Sequence, residues 1–556
     1  MRPFRFASSV ALVALTLVAC QEPLQVANEN EPDRDRALAS PADVEALIAG
    51  AYATIQDGTL GSNGGLQPKL QVMGLNSYST LANFEMGPLG AVPRNPIPNT
   101  RGNPGESENF RDYQRMHRAA RVAAIGLGQF QPGFTLGTAG ADTRAKAFAR
   151  MVQGVALGNL ALAYDSASII TENDASGAIV PLSDYATLMP AALGYLDSAI
   201  ALAQSPSAAA GFPLPSNWIN GNSLSAADFV RFVRSYKARF RAGVARTPAE
   251  RAAVDWTQVI ADAENGITAD FEIDMNPSAG WDVAWPVQHY ATGSANWHQM
   301  WQFVLGMADT SGGYAAWLAL APASRAPFLV VTPDRRLPQG TTRTDQNTAS
   351  PTPTAPLAWS ATPYLRNRPS GEDQPGDPIG ISMYDFYRSR AFFNAARVGR
   401  YPVITKAEMN LLAAEGYLRL ATPNFAAAAA LIDVSRVGTG QLPSVAGISD
   451  LTTPVPGGSA CVPRVPAPPN YQSTICGNIL EALKWEYRME TAFAGYGLWY
   501  FAGRGWGDLP EGTAYNWAVP FQEMDARRQA FYQLGGVGGP SSAAQGTYGL
   551  FTGGVY

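Results

Sequence analysis

The chain is 556 residues long, 46% hydrophobic and 15% charged, a composition that folds and excludes a disordered chain. Its formal net charge of −5 excludes the basic footprint of a nucleic-acid-binding surface. The length allows several cores, or one extended body built from repeated helix pairs.

Arg2 and Arg5 make the first residues positive, and 10–19 are apolar apart from Thr16. That run is too short to span a bilayer, so 1–19 read as a secretory signal. Leu17-Val18-Ala19-Cys20 resembles the bacterial lipobox. The resemblance implies that Cys20 takes a diacylglyceryl group and becomes the new N-terminus. The alternative is an ordinary signal peptide with a chance cysteine. Several acyl chains, at ~0.8 kcal/mol per buried CH2, would hold a soluble body at a membrane. Residues 20–39 then read as a polar tether, with Asn28, Glu29, Asn30, Glu31 and Asp33. No later run approaches the ~20 apolar residues a span requires.

Ser40-Pro41-Ala42-Asp43 opens a helix, with a serine cap, a proline at the first position and a carboxylate returned to the cap. Val44, Leu47, Ile48, Ala51, Tyr52 and Ile55 give it one apolar face. Long helices are predicted over 144–164 and 183–203. Ser225 and Asp228 cap another, whose stripe is Phe229, Phe232, Val233, Tyr236 and Phe240, and a shorter one covers 256–267. Thr405-Lys406-Ala407-Glu408 is a capping box, Asn424 starts the next helix, and 479–501 reads as one further long helical segment.

Strand alternation is scarce. Stretches dense in Pro, Gly, Asn and aromatics read as long loops over 58–105, 270–294 and 322–380. The expectation is a mostly α fold, a single helical body over 40–556 with a loop-rich insert over about 275–400.

Of three cysteines, lipidation of Cys20 would leave Cys461 and Cys476 flanking a proline-rich loop. An exported compartment permits a disulfide, and closing a ~15-residue loop is worth ~3 kcal/mol in the chain-entropy model. Two unpaired buried thiols, or a metal pair lacking its other ligands, are the alternatives.

Several segments, in order, resemble the SusD/RagB family of outer-membrane nutrient-uptake lipoproteins. They are the lipobox, the Asn-Glu-Asn-Glu-Pro stretch and the capped helix ending Ala49-Gly50-Ala51-Tyr52. Tyr401-Pro402-Val403-Ile404-Thr405-Lys406-Ala407-Glu408 continues through Leu412-Ala413-Ala414-Glu415 to Ile432-Asp433-Val434-Ser435-Arg436, with Asp433 where the family commonly has asparagine. Glu486-Tyr487-Arg488-Met489-Glu490, Gly495 and Val519-Pro520-Phe521-Gln522-Glu523 resemble its closing motifs, with departures at Tyr487, Ala494 and Gly497. The resemblance implies tetratricopeptide-like helix pairs under a loop-rich binding face. It also implies a lid for a TonB-dependent (SusC-like) transporter that captures an oligosaccharide or other nutrient on the extracellular side of the outer membrane.

Glu408 with Glu415, and Glu486 with Glu490, read as framework carboxylates bridging to Arg436 or Arg488 rather than as an acid–base pair. The only histidines are His117, His289 and His298, and no HExxH, Gly-x-Ser-x-Gly or phosphate-cradling Gly-x-x-x-x-Gly-Lys sequence occurs. No catalytic residue, metal site or cofactor is predicted. From Trp281 to Trp317 the chain carries Trp285, His289, Tyr290, Trp297, His298, Trp301 and Tyr314 among Gly, Ser, Asn and Gln. Flat aromatic faces stack on the C–H face of a sugar while amides satisfy its hydroxyls. Trp281, Trp285, Tyr290, Trp297 and Trp301 are therefore candidate ligand contacts, with Asn76 and Tyr78, beside Asn83 and Phe84, as a second wall. The competing reading of Trp297 and Trp301 is the buried face of a helix. The function expected is binding without covalent chemistry. A helical scaffold of the cell envelope with no small ligand, and a glycan hydrolase with two carboxylates in a cleft, are the rivals.

Overall fold

Ser40 caps the first helix as its sequence dictates. Its Oγ accepts from the Asp43 N–H at 3.2 Å and donates to the Asp43 carboxylate at 2.6 Å. The computed structural model describes residues 38–549 apart from 39, 62–63, 104–105, 176, 288–296, 350–361 and 369–381. The signal segment, Cys20, nearly all of the tether, and His289 with Tyr290 lie outside the described residues.

The helices that build the body are α1 (Pro41–Ala49), α2 (Ala51–Thr59), α3 (Leu66–Met73), α4 (Glu106–Gly128), α5 (Ala139–Ala163), α6 (Tyr185–Ala203), α7 (Ala226–Gly243) and α8 (Trp256–Glu264). They are followed by α9 (Lys406–Arg419), α10 (Phe425–Arg436), α11 (Ile479–Thr491), α12 (Leu498–Trp506) and α13 (Phe521–Ala526). They pack in series: α4 on α5, α5 on α6, α6 on α7, α7 on α8, α8 on α9, and α9 on both α10 and α11. Helix α5 is the spine and is buried almost all round. Small residues let its neighbours approach: a β-carbon on Gly154 would meet Leu196 at 2.6 Å, and one on Gly158 would collide with the Phe240 ring. Helix α6 is long and apolar enough to cross a membrane by length and composition. It instead buries Leu188, Met189, Ala192, Leu196 and Ala199 along one side, against α5 and α7. The fold is mostly α, as expected.

Buried arginines close the ends of this stack. Arg504 donates to the carbonyls of Leu162 at 2.9 Å and Gly243 at 2.9 Å, which are last-turn acceptors of α5 and α7. Arg246 reaches Ala161 and Tyr164, both at 2.9 Å, and Arg251 reaches Ala242 at 2.8 Å. Carbonyls at helix C-termini have no partner within the helix and carry partial negative charge, so guanidinium groups satisfy both needs.

The expected Arg436–Glu486 ion pair forms, at 3.8 Å, but the close partners of the framework carboxylates are other arginines. Glu408 takes a two-pronged bond from Arg239 at 2.7 and 2.6 Å, and Glu415 one from Arg251 at 2.7 and 2.5 Å. Glu486 and Glu490 share Arg336, at 2.6 and 3.0 Å, while Arg436 stands 3.8 Å from Glu486 and Arg488 pairs with Asp508. Thr405 Oγ1 accepts from the Glu408 N–H at 3.1 Å, so the serine-type half of the capping box forms and the Glu408 carboxylate goes to Arg239.

Four sequence expectations fail here, one of them the loop over 322–380, which holds a short helix, Arg343–Thr348, and a strand, Leu365–Asn367. The segment 479–501 is two helices, because Phe493, Gly495 and Gly497 all have φ near +60° and turn the chain between α11 and α12. A β-carbon on Gly497 would meet Leu70 and Phe501 at 2.7 Å. The stretch 58–105 holds α3 and a short helix over Met86–Gly90, and α4 begins at Glu106. The stretch 270–294 opens with a strand, Phe271–Met275, whose alternate residues are buried.

Strands are short and paired in twos. β1 (Ser77–Tyr78) pairs with β5 (Gln299–Met300), β2 (Ser166–Ser168) with β3 (Leu182–Asp184), and β4 (Phe271–Met275) with β8 (Gly399–Ile404). β6 (Leu365–Asn367) pairs with β7 (Tyr384–Phe386), and β9 (Arg464–Pro466) with β10 (Thr474–Cys476). Every pair is antiparallel. The β9–β10 ribbon is closed by a disulfide between Cys461 and Cys476, with Cα atoms 5.8 Å apart.

Candidate functional site

The two walls suspected from the sequence meet on the β1–β5 ladder. Ser77 pairs with Met300 and Tyr78 with Gln299, so the loop after β1 and the segment before β5 lie side by side. Trp297 stacks on Phe84, centroids 6.3 Å apart with planes at 28°, and Tyr78 meets Trp301 edge-on at 5.2 Å. Tyr78, Phe84 and Trp297 are half-buried, and Asn83 beside them is exposed.

The base under these rings is rigid and polar. Phe84 and Glu85 both adopt left-handed backbone, at φ 53° and 59°, an unfavourable conformation for side-chain-bearing residues. Glu85 is held there by the buried Lys69 ammonium at 3.7 Å, which also donates to Asn109 Oδ1 at 2.6 Å. His298, buried, bridges the Ser77 hydroxyl and, at 2.9 Å, the Met86 sulfur. The loop is thus tied to α3, α4 and β5 together. Rings that stand on such a base lose little freedom when a ligand covers them.

The seven residues proposed as ligand contacts divide. Tyr78 and Trp297 are in the wall. Trp285 is half-buried but stands against Arg397, whose guanidinium lies 4.4 Å from its ring centroid. Trp281 is 4% exposed and lies 6.3 Å from Tyr52, and Trp301 is 1% exposed. Both tryptophans belong to the core, because the ladder turns Trp301 inward and Trp281 follows a turn that carries it onto α2. Trp301 precedes the short helix Gln302–Gly306 and is not on a helical face shared with Trp297. Asn76 is also buried, and its Oδ1, without a hydrogen-bond partner, borders a small void with Gln71. Tyr290 lies outside the described residues. Tyr314 and Trp317, further along the aromatic run, stack on each other inside the core. Phe84, named in the second wall but not among the chosen contacts, is the ring the sequence undervalued. The signal was its place in Asn83-Phe84-Glu85, a turn whose Glu85 meets Lys69 from α3.

Among the described residues no group of three or more His, Cys, Asp or Glu is placed to hold a metal ion. What the wall can do chemically is offer flat apolar faces with an exposed amide alongside, which suits a ligand with both C–H faces and hydroxyls.

No protein-family model matches the sequence, and no curated protein matches it. Solved structures do match its shape. A SusD superfamily protein from Parabacteroides distasonis superposes with a TM-score of 0.53 at 10% identity, over 88% of this chain and 98% of that one. A SusD homolog from the same organism gives 0.50 at 13% identity, over 84% and 85%. The chain has the SusD-like helical fold.

Proposed function

We propose that this chain is a lipid-anchored binding protein, facing outward from the outer membrane, that captures an oligosaccharide and delivers it as the lid of a TonB-dependent transporter. The observation that carries the reading is the juxtaposition of Tyr78 and Phe84 with Trp297 on one braced ladder. Those rings come from two separate loops, so a sugar laid across them would touch both segments at once. Stacking supplies ~0.5–1.5 kcal/mol per ring beyond burial, and the Asn83 amide is placed to meet a hydroxyl. The SusD-like fold supports this use of the loops, and the lipobox-like Cys20 supports the tether.

The chemistry asked of the protein is recognition alone. The carboxylates that could be taken for a hydrolytic pair are spent on arginines: Glu408 and Glu415 on Arg239 and Arg251, Glu486 and Glu490 on Arg336. Each is buried.

A lid must contact a barrel rim over a broad area and still open, so the shared interface should be large and partly polar. Affinity purification of the tagged, lipidated protein from detergent-solubilised membranes should bring a TonB-dependent barrel in near-equal amount. Recovery of the lipoprotein alone, with other envelope complexes intact in the same extract, contradicts the transporter half of the proposal.

A further inference from the structure

A second cleft, of 510 Å³, lies between α4, the β2–β3 ribbon and α13, and shares no residue with the aromatic wall. Its size falls in the range of small-molecule sites, about 300–1,000 Å³. Arg118 and Arg121 stand on its rim, one helical turn apart on α4, so both guanidinium groups face the same side. Neither has a hydrogen bond or ion pair among the described residues. The nearby acids turn to other partners: Glu172 pairs with Arg150 at 2.5 Å, Asp174 accepts from the Thr171 N–H at 2.7 Å, and Glu523 gives one oxygen, Oε1, to Arg527 at 2.8 Å.

The inner surface adds two further groups. Tyr113 is 2% exposed, yet its hydroxyl has no hydrogen-bond partner. Burial first, and Glu523 second, hold that hydroxyl far above its ordinary range, so it stays protonated and can donate. A buried polar group without a partner is costly and calls for one. His117 beside it adds no charge: burial lowers it to about 4, and its nitrogens are occupied by the Tyr113 carbonyl at 2.9 Å and the Ser168 N–H at 3.1 Å. Ile179, exposed at the mouth, provides an apolar edge.

Two free guanidinium forks select a carboxylate or phosphate. A protonated tyrosine hydroxyl and a carboxylate, Glu523, on the same lining select hydroxyl groups. We propose that this cleft is a binding site for a sugar acid, its carboxylate on Arg118 and Arg121 and its hydroxyls on Tyr113 and Glu523. Phosphate alone would use the arginines but leave Tyr113 and the apolar edge unsatisfied. The site is independent of the aromatic wall and stands or falls separately from it.

Calorimetric titration of the full-length protein in detergent with D-glucuronate, D-glucose and inorganic phosphate tests this. Saturable glucuronate binding is expected at about 1 mM, the scale for a small, solvated ligand. Glucose and phosphate should each bind at least about tenfold more weakly at this site. The double substitution Arg118→Gln with Arg121→Gln should weaken glucuronate about tenfold or more. Trp297→Ala should leave it unchanged. Arg118 is exposed and Arg121 half-buried, and an unaltered melting temperature of the double variant confirms that folding is intact. Absence of saturable glucuronate binding overturns the proposal. So does glucuronate binding that survives the double substitution, or is lost with Trp297, or phosphate binding as tight as glucuronate.

Discussion

Trp297 lies over Phe84 with ring planes 28° apart, although one belongs to the segment before β5 and the other to the loop after β1. The contact makes one aromatic surface from two sequence-distant segments, and Phe84 reaches it through a left-handed backbone fixed by the Lys69–Glu85 pair. Function and stability therefore separate within this cluster, ring by ring.

Trp281 and Trp301 are on the stability side. Truncating a buried tryptophan to alanine removes its transfer free energy and leaves a cavity, at a cost of ~3–5 kcal/mol. Trp281→Ala and Trp301→Ala should each lower the denaturant midpoint by an amount of that order. Unchanged midpoints would mean that these rings are at the surface.

Asp112 gives the fold a pH signature. Burial raises its carboxyl from 3.8 to about 7, against the opposing bonds from the Tyr496 hydroxyl at 2.7 Å and the Leu66 N–H at 3.1 Å. The folded chain then holds a proton that the unfolded chain releases between pH 3.8 and 7, so this group's stabilisation is full below 3.8 and is lost as pH rises through 7. Asp112→Asn keeps an acceptor for both donors and removes the titration. The variant should gain stability relative to wild type on going from pH 4 to pH 8, by up to about 4 kcal/mol. Parallel stability curves for the two proteins over that window would contradict the burial of a charged Asp112.

Glu415 acts in the opposite sense. Burial works to raise it, but the Arg251 guanidinium, its hydrogen bonds and then Arg419 outweigh that and hold it at about 2. Its contribution is present above about 4.5 and is lost as pH falls toward 2. Glu415→Gln leaves Arg251 buried without its counter-charge and should cost ~3–5 kcal/mol at pH 7. The gap between variant and wild type should narrow on acidification below pH 4. Chemical denaturation at pH 7 and pH 3 reads both effects, and a gap that widens with acid would reverse the assignment.

What could be read from the chain and what could not follow a physical division. Helices announced by local chemistry, such as Ser40-Pro41-Ala42-Asp43, Ser225 with Asp228, and Asn424, begin where the caps place them. The break after Thr491 was hidden because Phe493 is a poor residue for φ 59° and adopts it in a setting where the Tyr401 hydroxyl donates to its carbonyl at 2.8 Å. Strand β4 carried legible alternation, Phe271, Ile273 and Met275, but its partner β8 lies far along the chain. Composition pointed to both aromatic loops. It could not say that Tyr78 would face Gln299 in the ladder, and that pairing decides which rings are buried. The partners of Glu408, Glu415 and Glu486 escaped for the same reason: Arg239, Arg251 and Arg336 come from other helices and loops.

The half-buried rings of the wall are expected to bind saccharide while contributing little to stability. The most direct measurement is affinity of Trp297→Ala and wild type across a panel of neutral oligosaccharides, with melting temperatures taken on the same samples. Wild type should bind at least one oligosaccharide saturably, and Trp297→Ala should weaken that binding several-fold to about tenfold at an unchanged melting temperature. No binding by wild type across the panel, or a Trp297→Ala variant that melts early yet keeps full affinity while folded, would contradict it.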